Sequence, residues 1–177
     1  MSKNTGILYR TRKNLNVSTL MLLYQTLIQP YFEYCNVYGV STTRNISRIC
    51  LQSKKKAVRT ITFGKWNSHT APIFAKFTIL NMYSINKLQI DSFVYKSLNN
   101  LLPPQFCNFC TLNKNLHDHN TRSKNNIHQI YYRIEARGHS MRLYDPRVWN
   151  SIPLFIRNSK SYNIFKKRYK YHLYNCQ

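Results

Sequence analysis

The chain has 177 residues, 43% of them hydrophobic, and its 27 Lys and Arg stand against five Asp and Glu, a formal net charge of +22 at pH 7. That length holds one domain or two small ones, and so few acids argue against chemistry built on carboxylates. Charge this dense repels itself in a compact state, which points to a polyanionic partner, nucleic acid before an anionic membrane surface.

The first strong element is expected from Ser18, as N-cap, to Gly39. Leu20, Leu23, Tyr24, Leu27, Ile28, Tyr31, Tyr34, Cys35 and Tyr38 fall on one face at helical spacing. Pro30 removes one backbone donor inside this run, so a kink is expected there. A second helix is expected over 44–63. Ile46, Ile49, Cys50, Ser53, Ala57 and Ile61 make its apolar face, and Arg44, Arg48, Lys55 and Arg59 share the opposite side, flanked by Lys54 and Lys56. A solvated helix surface normally pairs Lys with Glu at i, i+4. This one has no acid, which favours a stripe facing phosphates over a merely solvated one. Thr70-Ala71-Pro72 reads as a short helix start. Another helix is expected over 84–99, with Leu88, Phe93, Tyr95 and Leu98 apolar, ended by Leu102-Pro103-Pro104.

Residues 105–126 read as a polar linker. Alternation at Ile130, Tyr132 and Ile134, a turn at Arg137-Gly138 and a return over Met141 to Tyr144 predict a small antiparallel β-hairpin between Ile127 and Tyr144. A last helix is expected from Ser161, with Tyr162, Phe165, Tyr169 and Leu173 on one face and Lys166, Lys167 and Lys170 beside it. The expected fold class is therefore mainly α: a helical bundle over 1–104, the linker, then a hairpin and C-terminal helix over 127–177. Four glycines are too few for a turn-rich barrel or sandwich. Five cysteines, an odd number, fit a reduced intracellular setting better than a disulfide framework. No apolar run is long enough to span a bilayer, so a membrane partner is not expected.

Cys107-x-x-Cys110 followed by His117-x-His119 offers four residue types that bind zinc. The Cys pair has zinc-knuckle spacing, but the His pair is one residue apart rather than three to five. Two-metal phosphoryl transfer needs two or three converging carboxylates. Glu33, Asp91, Asp118, Glu135 and Asp145 contain no close pair, so neither a polymerase nor a nuclease centre is expected, and no cofactor is implied. Near the C-terminus, aromatics alternate with cations: Tyr131-Tyr132-Arg133, Tyr144, Trp149, and Phe165-Lys166-Lys167-Arg168-Tyr169-Lys170-Tyr171. Such a mixture suits single strands, whose bases stack on rings while cations hold the backbone. Trp149 and Phe165 are expected in the core, and Tyr171 is open to either use.

An ordered set of short strings gives a further handle. Tyr24-x-x-Leu27-Ile28-x-Pro30-Tyr31-x-x-Tyr34-Cys35 precedes Ala57-Val58-Arg59 and His69-Thr70-x-Pro72-x-Phe74. Phe93-Val94-Tyr95-Lys96-x-Leu98-Asn99, Leu102-Pro103, His117-x-His119-Asn120-Thr121-Arg122 and Trp149-Asn150-Ser151-Ile152-Pro153 follow. From about Gly6 to Leu173 the chain resembles the segment after the polymerase core in reverse transcriptases of jockey-like non-LTR retrotransposons. The resemblance implies a thumb-like helical part that grips a template–primer duplex, with fingers and palm supplied upstream. It implies a detached C-terminal piece of an RNA-directed DNA polymerase, itself non-catalytic. It adds Arg122 to the candidate cations, supports Arg59, and places His69, His117 and His119 at matched positions. The Cys107/Cys110 pair is not part of that pattern, and Tyr38 stands where the pattern has Trp. The expected partner is RNA or DNA held with little sequence preference, in the nucleus or in a cytoplasmic ribonucleoprotein. A degenerate retroelement fragment with inherited charge and a small zinc-binding protein are the competing readings.

Overall fold

A computed structural model describes residues 2–39, 44–65, 67–106, 109–116, 119, 121–129, 133 and 141–176. The chain is mainly α, and no strand occurs among the described residues. The helices are α1 (Ser2–Thr11), α2 (Val17–Leu27), α3 (Gln29–Gly39), α4 (Arg44–Ile61), α5 (Ala71–Lys76), α6 (Met82–Leu98), α7 (Met141–Asn150), α8 (Leu154–Arg157) and α9 (Tyr162–Asn175). They pack as two compact units, one of Met1–Asn86 with Cys176–Gln177 and one of Lys87–Asn175, so the division falls inside α6.

In the first unit the expected long helix is two. Asn16 rather than Ser18 caps α2, its Oδ1 accepting from the Thr19 N–H at 2.8 Å and the Thr19 hydroxyl at 2.7 Å. Helix α2 ends at its C-cap Ile28, whose N–H still donates to the Tyr24 carbonyl, and α3 starts at Gln29 with Pro30 in its first turn, where a missing N–H costs nothing. The buried line runs on across that break at i+4 spacing. Leu20, Tyr24, Ile28 and Phe32 are buried in a line, while Tyr31 and Tyr34, expected on the same face, are 49% and 86% exposed. α1 and α4 pack on one another, and α4 also meets α2, α3 and α5. Leu8, Ala57, Val58, Ile61, Phe74 and Ile79 complete the core between them.

In the second unit the rings of Tyr95 and Phe165 stack at 4.5 Å, with Trp149 and Tyr169 at 5.7 and 5.6 Å from Phe165. The Tyr95 hydroxyl, buried, donates to the Ser159 carbonyl at 2.7 Å. Phe93 meets Phe106 and Phe109 edge-on at 5.9 and 5.2 Å, and Ser97 Oγ donates to the Phe106 carbonyl at 2.8 Å.

The hairpin expected between Ile127 and Tyr144 needs correction. Met141 to Tyr144 opens α7 instead of returning as a strand. Tyr144 and Val148 are four apart, a helical spacing, and Val148 and Trp149 are buried. Ile130, Tyr132, Ile134, Arg137 and Gly138 lie outside the described residues. Among the described residues, the extended pairing is one antiparallel bridge between Leu112 and Ile127, flanked by Asn113 N–H donating to Asn126 O at 2.9 Å and His128 N–H donating to Thr111 O at 2.8 Å. Asn150 locks it: its Oδ1 accepts from the Ile127 N–H at 2.9 Å and its Nδ2 donates to the Ile127 carbonyl at 3.0 Å.

Candidate nucleic-acid interface

Helix α4 has no Gly, Pro or acid in its 18 residues. Its buried side is Lys54, Ala57, Val58 and Ile61, and Arg48, Ile49, Gln52 and Lys56 are exposed. The burial is rotated from the expectation, since Ile49 is 61% exposed and Lys54 is fully buried. The reason lies in the core. The Lys54 stem runs through it, and its Nζ donates to the Leu80 carbonyl at 2.5 Å, with the faces of Phe32 and Phe74 at 5.6 and 6.0 Å. Burial brings the ammonium down to about 7, against a smaller upward pull from Glu33. Lys54 is thus a core residue and not a flank of the basic face.

Arg48, Gln52 and Lys56 follow one another at i, i+4 and i+8, so they share one exposed line on α4. Lys55 and Arg59 are half-buried at its edge. The Arg59 Nε donates to the Ser68 carbonyl at 2.9 Å, tying the turn after α4 to the helix. Arg44 begins α4, and its side chain lies outside the described residues. Lys56 is the exposed cation that periodicity placed only beside the stripe. Its signal is the i+4 spacing from Gln52, and burial of Lys54 turns that line to the centre of the exposed face. Arg12, at the end of α1, lies 4.2 Å from the Tyr9 ring and 5.5 Å from that of Phe63.

Helix α9 buries Phe165, Tyr169 and Leu173. Lys166, Lys167, Arg168 and Lys170 are all exposed, and the helix contains no acid. Arg122 is exposed in the turn of 122–125. The pairing around Leu112 and Ile127 brings two further exposed lysines near it: the Lys114 N–H donates to the Lys124 carbonyl at 3.0 Å. Sequence reading missed this pair, since only the antiparallel register joins positions ten apart. Arg157 of α8 holds the same segment, its NH1 donating to Asn126 Oδ1 at 3.0 Å, and burial lowers this guanidinium from its ordinary value. It stays charged, as guanidinium does at any pH of interest. Arg48, Lys55 and Arg59 therefore belong to the first unit, and Arg122, Lys166, Lys167 and Lys170 to the second.

Of the four zinc candidates, Cys110 is half-buried and His119 exposed, while Cys107 and His117 lie outside the described residues. No group of three His, Cys, Asp or Glu able to hold a metal occurs among the described residues. His69 is exposed. Glu33 is exposed and accepts from Gln29 Nε2 at 3.0 Å, and Asp91 is fully buried in α6. No helix among the described residues is long and apolar enough to cross a membrane. Comparison with protein-family models, with curated proteins and with solved structures finds no match for this chain.

Proposed function

We propose that this chain is a non-catalytic nucleic-acid-binding segment, corresponding to the thumb-like and following part of a non-LTR retrotransposon reverse transcriptase. It grips the phosphate backbone of a template–primer duplex beside an upstream fingers-and-palm region. The observation that carries this reading is that α4 and α9 contain no carboxylate and each holds exposed cations beside an apolar face committed to a core. Phosphates would relieve the mutual repulsion of those cations, and an acid-free helix has no competing internal partner for them. The ordered strings from Tyr24 to Pro153 support the family reading, and the five acids, with no close pair in the sequence, support the non-catalytic one. Such a protein works inside the cell, on RNA or DNA in the nucleus or in a ribonucleoprotein.

Titration of a labelled primer–template duplex at several salt concentrations tests this. With about five phosphate contacts, log affinity falls with log salt at a slope near −4 to −5. Arg48→Gln with Lys56→Gln reduces that slope by about 1 to 2 units and leaves any sequence preference as it was. Intact affinity and slope in the double variant would remove α4 from the interface. Binding no stronger than that to anionic lipid vesicles would defeat the reading as a whole.

A further inference from the structure

The outer face of α9 carries more than duplex phosphates require. With Phe165, Tyr169 and Leu173 in the core, the helix turns Ile164, Lys167, Arg168 and Tyr171 outward. These follow at i, i+3, i+4 and i+7, so they line one stripe. Tyr171 is 69% exposed, with Lys167 and Arg168 one turn before it, and Lys170 Nζ lies 5.8 Å from the ring of Tyr174. The Arg168 NH1 reaches the Phe155 carbonyl on α8 at 3.5 Å, and the Phe155 ring is 66% exposed. Two exposed rings thus lie on the two helices that this Arg168 contact joins. Neither supports the core, and phosphates alone have no use for a ring.

An unpaired base does, because a base stacks on an exposed ring while cations hold the phosphates on either side. A membrane surface fits less well. The apolar face of α9 is already spent in the core, and the exposed apolar residues are separated by cations where an interfacial helix needs a continuous apolar side. We propose that the exposed face of α9, with Tyr171 among Lys167, Arg168 and Lys170 and with Phe155 of α8 beside Arg168, is a stacking platform for single-stranded nucleic acid. This rests on the reading of the chain as a nucleic-acid binder, and assigns the unpaired strand to α9.

The test measures the whole chain against a labelled twelve-nucleotide oligothymidine and against a hairpin duplex, at one salt concentration. Tyr171→Ala weakens oligothymidine binding about tenfold, Tyr171→Phe retains it, and hairpin binding is unchanged in both. Tyr171 lies outside the core, so both variants keep the wild-type thermal midpoint. Unchanged oligothymidine affinity in Tyr171→Ala overturns the platform while leaving backbone binding by the cations intact. An equal loss for the hairpin overturns it as well, because the ring then serves both forms. A Tyr171-dependent affinity for phosphatidylserine vesicles or for poly-glutamate, without one for oligothymidine, reassigns the face to a lipid or an acidic protein. Failure of the wild type to bind either nucleic acid defeats the parent reading and this one together.

Discussion

Lys54 shows how much one side chain changes the account of a helix. Its ammonium is fully buried, beside one carbonyl and two ring faces. The folded state holds this proton less tightly than the unfolded chain does, at about 7 against an ordinary 10.5. Between those values the unfolded state therefore binds more protons, so stability rises as pH rises through the window. Tyr24 works in the other direction. Burial, with a smaller effect from Glu33, raises its hydroxyl above the ordinary 10.0, so stability is lost once the pH climbs past 10. Urea midpoints are expected to increase from pH 7 to pH 9, and Lys54→Met is expected to flatten that increase. An unchanged slope in the variant would assign the pH dependence to other groups. Asn150 is a second decisive residue. Asn150→Ala removes both bonds to the Ile127 backbone and leaves a largely buried N–H without its acceptor, at a cost of about 1 to 3 kcal/mol. Early exchange of the Ile127 amide with deuterium would report the same loss locally.

At the scale of elements, scarce glycine shapes how the helices end. α4, α5 and α6 all stop with an i+5 to i backbone bond: Gly64 to Arg59 at 3.0 Å, Ile79 to Phe74 at 3.0 Å and Leu101 to Lys96 at 2.8 Å. The residue before each of these donors is left-handed, and none is glycine: Phe63 at φ 53°, Thr78 at 47° and Asn100 at 54°. Asn tolerates that region, and a β-branched Thr does not. Thr78→Gly is expected to stabilise by about 1 kcal/mol, and Asn100→Gly to change stability by only a few tenths. Chemical denaturation of the two variants side by side checks the contrast. Helix α2 offers the complementary loss. Leu20 is fully buried, so Leu20→Ala is expected to cost about 2 to 5 kcal/mol, whereas half-buried Leu27 costs less.

For the whole molecule, +22 in 177 residues is a standing repulsion that folding concentrates. Polyanions are therefore expected to raise the thermal midpoint, heparin or an oligonucleotide more than an equal ionic strength of sodium chloride, because bound phosphate or sulfate adds mass action to screening. Equal shifts from both would reduce the effect to screening alone. The charge is divided between two compact units, with α4 in one and α9 in the other, and the proposed single-strand platform falls in the second.

The sequence by itself determined the helical class, the expected burial of Trp149 and Phe165, and the exposure of the α9 cations. Each of these follows from local periodicity or from the balance of charge, and a helix reports its face over a few turns. Only tertiary structure decided that Lys54 enters the core while Ile49 and Tyr34 face water, since Lys54 depends on a carbonyl 26 residues away and Tyr34 lies off the line of Leu20, Tyr24, Ile28 and Phe32 that packs inward. The same holds for α6, where Ile85, Ile90, Val94 and Tyr95 are buried along with Ser84, Asn86 and Asp91. A helix buried on most sides has little periodicity to read. Met141 to Tyr144 read as a strand because alternation over four residues is too short to tell from a helical turn. Which reading holds was set by the burial of Val148 and Trp149 further along α7, and by Asn150, whose side chain reaches back 23 residues to fasten Ile127.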